Sequence, residues 1–308
     1  MEPVSETWRV ILGRAALYMC LIGVAYSIAS VASYPLGLLV EDHLVDLWGL
    51  FLDQFDESFD LPVVGGWLVM FLTYWLFGFA MLAVDITHKP AWLWNRKYQK
   101  SKMYSYAGSD YNPPLKKTVA LVLFNQLFVF LPGLWLMQRF FTNTALLPWS
   151  TGIRVDRELP TLISMLVTFS WAVFLEEILF YSSHWLMHVG FFYRNFHKVH
   201  HSYRAPHAIA SLYAHPVEAV LANLVAMNLP LFVCNFHLLT FYIAISLGWM
   251  SSLVGHCGYD VPILSLFIPK HDFHDLHHEK FNGNYGTAGW LDLLLKTNIK
   301  DNKESEEV

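Results

Sequence analysis

The chain has 308 residues, of which 55% are hydrophobic and only 15% charged, with a formal net charge of −5. Soluble domains carry roughly 25% charged residues, so this balance excludes intrinsic disorder, which needs low hydrophobicity and high charge, and argues against nucleic-acid binding, which favours basic domains. A mean hydropathy of +0.37, with 12 Trp, 15 Tyr and 23 Phe, points to a membrane-embedded protein.

Arg9 and Arg14 precede an apolar stretch whose small residues Ser30-Val31-Ala32 resemble a signal-peptide end. The stretch runs on past them, so a retained signal anchor is expected. Apolar windows near 20 residues mark spanning helices, and they fall at 15–36, 64–84, 118–137 and 161–181, the last containing the pair Glu176-Glu177. The region 219–255 is apolar again, interrupted by Pro230 and by the polar run Asn235–His237. It suits two tight spans or a re-entrant hairpin. The segment 38–62, read as a loop, carries Glu41, Asp42, Asp46, Asp53, Asp56, Glu57 and Asp60 and no Lys or Arg. The loop 86–117 carries Lys89, Arg96, Lys97, Lys100, Lys102, Lys116 and Lys117. The positive-inside rule puts the second in the cytosol and the first across the membrane. Alternation then puts 138–160 on the far side, despite Arg139, Arg154 and Arg157, and returns the chain to the cytosol after the fourth span. Cys20, Cys234 and Cys257 form no C-x-x-C pair and no disulfide framework. The domain reading is an N-terminal membrane region over 1–157 with about three spans, a catalytic region over 158–296 and a charged tail over 297–308.

Of 15 His, 13 lie between His184 and His278. They form His184-x-x-x-His188, His197-x-x-His200-His201 and His274-x-x-His277-His278, with His256 apart. Residues three and four apart share a helix face, so each cluster is read as pointing one way, and the i, i+4 pairs can chelate one metal ion. Burying so many imidazoles without a metal is costly. Nine imidazoles exceed what one transition metal takes, which implies two metals sharing the set. Spacing alone does not choose between Zn, Cu, Fe and Ni. His43, His88, His207 and His237 read as ordinary polar residues. An all-histidine dinuclear site on a membrane protein fits redox chemistry on a lipid better than hydrolysis.

These strings, with Tyr181-Ser-Ser-His184, Phe196-His197, His215-Pro216-Val217-Glu218, His256-Cys-Gly-Tyr259 and His277-His278-Glu-Lys-Phe281-Asn-Gly-Asn-Tyr285-Gly286, resemble the fatty acid hydroxylase and sterol desaturase superfamily. The nearest likeness is to fatty acid hydroxylase domain-containing proteins and C4-methylsterol oxidases. It is good over 158–292, with a fainter echo at Val84-Asp-Ile-Thr-His-Lys89-Pro90. The resemblance implies an all-α integral membrane protein, a transmembrane helix bundle under a cytosolic helical cap that holds a histidine-rich dinuclear metal site. It implies two Fe ions held by His184, His188, His197, His200, His201, His256, His274, His277 and His278, with O2 as co-substrate. It implies an endoplasmic reticulum membrane and electrons from an external cytochrome b5 or NAD(P)H-dependent reductase, for which the basic loop 86–117 is one possible dock. Asp260 stands where some relatives have His and is either a ligand or an orienting carboxylate. His271 is a spare candidate ligand.

Glu177, Tyr181, His184 and His188 fall on one helical stripe. Ionisable residues inside spans are functional candidates, so Glu177 is expected either to accept a hydrogen bond from a ligand histidine or to reach the interface as a helix-end carboxylate. Glu218 is a plausible orienter, His215 a possible residue at the substrate end, and Asp275 and Asp292 weaker acceptors. The expected function is a membrane-bound di-iron monooxygenase that hydroxylates or oxidatively demethylates a lipid, a (4-methyl)sterol or a fatty acyl chain. A desaturase on the same scaffold, a histidine-gated metal transporter and an inactive metal-binding scaffold are the alternatives.

Overall fold

The computed structural model describes residues 37–55, 60–99, 112–143, 152–260 and 271–299, with the backbone alone for 37–43 and 271–272. The window at 15–36 and most of the charged tail lie outside the described residues. No strand occurs among the described residues, only the isolated bridges Lys97–Tyr259 and Arg154–His237. The architecture is all-α, with five helices long and apolar enough to cross a membrane.

The chain divides into two compact units. The first comprises 1–58 and 156–164. Its described helix, α1 (Gly37–Leu52), occupies much of the segment read above as a loop. Acidic side chains do not stop a helix as Gly or Pro would, and Trp48 supplies the buried side. Trp48 Nε1 donates to the Asp156 carbonyl at 2.9 Å, and Arg157 pairs with Asp53.

The second unit, 59–155 and 165–308, holds α2 (Leu61–Thr87), α3 (Leu115–Phe141), all but the first residues of α4 (Leu162–Met187), α5 (Pro216–Val233) and α6 (Leu238–Cys257). The short helices α7 (His271–Lys280) and α8 (Trp290–Leu295) follow. The break at 234–237 resolves the long apolar region into two helices: Asn235 takes a positive φ of 53°, and the His237 side chain caps α6 by accepting from Leu239 N at 3.1 Å. Helix α6 ends at Gly258, whose φ of 67° is left-handed.

Outward faces are greasy. Leu68, Leu72, Leu76 and Phe79 recur along α2 and are exposed, and only 11% of the apolar window of α4 is buried. In water such a surface would be unstable, and in lipid it is the solvent-facing side. Inward polar side chains hold the segment between α4 and α5. Tyr74 Oη donates to the Ile209 carbonyl at 2.7 Å, and Asn125 Nδ2 donates to the Leu212 and Ala214 carbonyls at 3.2 and 2.9 Å. These bonds fix the backbone downstream of His201 to the spans.

Candidate metal centre

The histidines converge at the C-terminal ends of α4 and α6. His184 lies in the last turn of α4 and His188 just past it. A π-helical turn (Tyr193–His197) and a 3-10 turn (His200–Ser202) carry the second cluster. His256 sits at the end of α6 and the third cluster on α7. The ligand atoms fall into two groups, each within 4.8 Å: His184, His188, His197, His201 and His277 in one, and His200, His256, His274 and His278 in the other. Each i, i+4 pair stays within one group. The middle histidine of each H-x-x-H-H crosses to the other, so the clusters do not each point one way. Successive residues are turned about 100° on an α-helix and more in a 3-10 turn, which sends the adjacent pairs His200-His201 and His277-His278 to different groups.

The ring nitrogens show what the groups are built to hold. Nδ1 of His184, His256, His277 and His278 lies 2.7, 2.7, 2.7 and 2.8 Å from the carbonyls of Tyr285, Ser252, Gly283 and Tyr203. His200 Nδ1 is 3.3 Å from the Tyr213 carbonyl. A carbonyl only accepts, so each of these Nδ1 atoms carries the hydrogen and Nε2 presents a lone pair. In the group of His200, His256, His274 and His278 the Nε2 atoms face one another: His200 to His256 at 3.3 Å, His256 to His274 at 3.0 Å, His274 to His278 at 3.2 Å. In the other group His188 Nε2 lies 2.9, 3.2 and 3.2 Å from those of His197, His201 and His277.

Facing lone pairs, as between His200 and His256, repel unless a cation lies between them. A proton is a poor candidate. Burial pushes His197 down to about 3 and His200 down to about 4. Burial first, then the neighbouring imidazoles, holds His201, His274, His277 and His278 well below the ordinary value. A metal ion fits. Metal–nitrogen bonds of about 2.0–2.1 Å at octahedral to tetrahedral angles set neighbouring nitrogens about 2.9–3.4 Å apart, which brackets the separations here. The donor set is all nitrogen, which suits several transition metals.

Supporting carboxylates surround the rings. Glu218 Oε1 is 2.8 Å from His197 Nδ1, with both side chains buried. Gln99 Nε2 donates to Asp275 Oδ2 at 2.8 Å, just before His277 in sequence. Glu177 is fully buried and accepts not from a histidine but from the backbone N–H groups of Thr287 and Ala288, each at 2.7 Å. Asp292 accepts from Tyr285 N and Gly286 N at 2.8 and 2.7 Å. Together they strap the loop whose Tyr285 carbonyl holds His184. Asp260 and His215 belong to neither histidine group. His215 caps α5 instead, its Nδ1 accepting from Val217 N at 3.2 Å. The side chain of His271 lies outside the described residues.

Sequence reasoning missed one buried network. Lys97 pairs with Asp85 at 2.5 Å and donates to the Cys257 carbonyl at 3.2 Å. Tyr259 Oη donates to the same Asp85 oxygen at 2.6 Å. The two strings around Asp85 and Tyr259 are therefore one contact, pinning the end of α6 beside His256. No spacing rule joins residues so far apart in the chain.

A cavity of about 500 Å³ runs beside α4, α5 and α6 to this centre. Its walls are mostly apolar, including Phe169, Val173, Phe180, Leu231 and Ile245, and His256 and His274 stand in its lining. The α6 residues that line it run from Ala244 to His256, about 18 Å of helix at 1.5 Å per residue.

Residues 169–297 match the family model for fatty acid hydroxylase. Fatty acid hydroxylase domain-containing protein 2 of Homo sapiens is 34% identical over 252 residues, covering 81% of this chain and 71% of that protein. C-4 methylsterol oxidase erg25 of Schizosaccharomyces pombe is 37% identical over 186 residues, 58% of this chain and 60% of its own length. Fatty acid hydroxylase ahd1 of Mycosarcoma maydis is 30% identical over 245 residues, 79% of this chain and 59% of its own length. No solved structure matches.

Proposed function

The chain belongs to the fatty acid hydroxylase family, and on that footing we propose that it is a membrane-bound di-iron monooxygenase that hydroxylates or oxidatively demethylates a lipid, a (4-methyl)sterol or a fatty acyl chain. The coarser class, an oxidoreductase acting on lipid, follows from relatives named as a methylsterol monooxygenase and as fatty acid hydroxylases. The observation that carries the proposal is a pair of imidazole groups, one of which places His256 and His274 in the wall of an apolar cavity lined by residues of membrane-spanning helices.

His184, His188, His197, His201 and His277 would hold one iron, and His200, His256, His274 and His278 the other. Bound there, the two ions supply O2 activation and one-electron redox capacity. The protein does the rest. The Nδ1–H bonds to backbone carbonyls hold the rings in one tautomer and orientation. Glu218 beside His197 raises the basicity of that ring. Phe180 and Phe273, which line the cavity together with His274, would help to exclude water that would quench a reactive oxidant. The apolar walls bind the lipid and present one of its C–H bonds to the imidazole-lined end.

Electrons come from a cytochrome b5 or an NAD(P)H-dependent reductase, and the protein resides in the endoplasmic reticulum membrane with its histidines toward the cytosol. Loop charge supports that orientation.

Metal analysis of the purified protein, paired with sterol and hydroxy-acid profiling of cells that lack it, tests the reading. Two equivalents of iron per chain and accumulation of methylsterols or loss of a hydroxylated acyl lipid are expected. An active metal-free protein, or unchanged profiles on both lipid classes, would sink it.

A further inference from the structure

The cavity wall holds one ionisable side chain besides its two histidines: Glu176. Thr287 Oγ1 lies 2.8 Å from Glu176 Oε2 and 2.9 Å from Glu177 Oε2. A hydroxyl has a single hydrogen, so it donates to one of these oxygens only. The other contact is a hydrogen bond if that carboxyl carries a proton and donates to Thr287 Oγ1. Glu177 Oε2 already accepts from two backbone N–H groups, which occupy its lone pairs and leave that oxygen no hydrogen to offer Thr287. The proton therefore belongs to Glu176. Two ionised carboxylates around one hydroxyl in an apolar wall would repel each other and lose their hydration.

With Oε2–H committed to Thr287, the acid has one polar atom left, the carbonyl-type oxygen Oε1. It has no hydrogen-bond partner among the described residues, and its side chain lines the cavity. From this hydrogen count we propose that Glu176 is a neutral hydrogen-bond acceptor that reads a hydroxyl group on the lipid. The cavity then selects neutral lipid alcohols over free fatty acids, whose ionised head has no hydrogen to donate, and over hydrocarbons and ethers. This rests on the function proposed above only in taking the cavity as the substrate site. Glu176 is a specificity-determining residue and takes no part in the chemistry at the metals.

Equilibrium binding of labelled lipids to the full-length protein in nanodiscs tests it. The probes are a long-chain alcohol, its methyl ether and the fatty acid of the same chain length, with a sterol and its methyl ether as a second pair. A site built to bond a hydroxyl rejects the analogue that lacks it, so the wild type should prefer each alcohol over its ether by about tenfold or more, and the alcohol over the acid. Glu176→Gln should keep the preference, because its amide N–H replaces the acid's O–H toward Thr287 and its oxygen replaces Oε1. Glu176→Leu should bind alcohol and ether alike, with ether affinity close to wild type showing that the cavity is intact. Glu176→Met, which keeps the length of the side chain, gives a second apolar replacement. Equal affinities in the wild type, a preference that survives both apolar replacements, or a preference lost in Glu176→Gln would each overturn the proposal. Alcohol preference without oxidation of any lipid would count against the oxygenase and leave Glu176 standing. Oxidation without alcohol preference would do the reverse.

Discussion

At the scale of single residues, the site depends on which ring nitrogen carries hydrogen. Among the acidic side chains, Glu218 makes the direct approach to a ring Nδ1, that of His197 at 2.8 Å. Partners of this kind typically change metal affinity 10–100-fold when mutated. Glu218→Gln should therefore weaken metal retention by about that factor in competition with a chelator, and retention equal to wild type would remove the carboxylate from the site. His207 shows the opposite use of a buried imidazole. It is fully buried next to Tyr203, its Nε2 3.3 Å from the phenol oxygen. Burial, aided by Lys97, pushes it down to about 3 from an ordinary 6.5. Above 6.5 neither the folded nor the unfolded chain protonates it. Between 6.5 and 3 the unfolded chain alone binds the proton, so folding loses about 1.4 kcal/mol per pH unit from this group. His207→Gln should remove that component, so that by pH 5 the variant has lost about 2 kcal/mol less than wild type. Melting curves at matched metal load from pH 7.5 to 5 would measure it, and parallel losses in the two proteins would show that His207 is not buried neutral.

At the scale of elements, the histidine clusters were legible because i, i+4 spacing survives folding: His184 with His188, His197 with His201, and His274 with His278 each share a group. The crossing of His200 and His277 was not legible, because it depends on a 3-10 turn and on how α7 docks, which local sequence does not encode. Nor were the carbonyls of Tyr203, Tyr213, Ser252, Gly283 and Tyr285, since every residue has one. Glu177 stands out in the sequence as an acid in a span, and its partners are a loop rather than a ligand histidine. That loop, 283–291, is held from two sides, by Glu177 and by Asp292. Glu177→Ala leaves buried N–H groups without an acceptor, a loss of roughly 3 kcal/mol. Gly286→Ala should act the same way from the opposite direction, because a Cβ there would lie 2.5 Å from Glu177 Oε1 and 3.0 Å from Asp292 Oδ2. Both variants should melt lower and lose metal together, through the freed Tyr285 carbonyl and His184. A lower melting temperature with full metal content would separate the strap from the centre.

At the scale of the whole molecule, hydropathy located the spans because lipid imposes one length on every helix that crosses it. The apolar windows at 64–84 and 118–137 sit inside α2 and α3, and 161–181 starts one residue before α4. Helix ends were less legible: α2 and α4 run on to Thr87 and Met187, since polar residues such as Asp85 and His184 are tolerated where a partner meets them. The orientation proposed above rests on loop charge. Arg139 and Arg157, awkward on the far side of the membrane, each approach an acidic residue of the segment expected there: Arg139 lies 3.9 Å from Asp60, and Arg157 pairs with Asp53. If α2, α3 and α4 all cross, three crossings separate Asp60 from His188 and put the histidines opposite the acidic segment. In a chain whose own cysteines are replaced by alanine, Asn143→Cys and Lys280→Cys should react with a membrane-impermeant thiol reagent from opposite sides of sealed microsomes, Lys280→Cys from the cytosolic side. Both positions are exposed, so labelling needs no unfolding. Reaction of both from the same side would mean that one of α4, α5 or α6 does not cross, and the electron donor would then have to be sought on the other face.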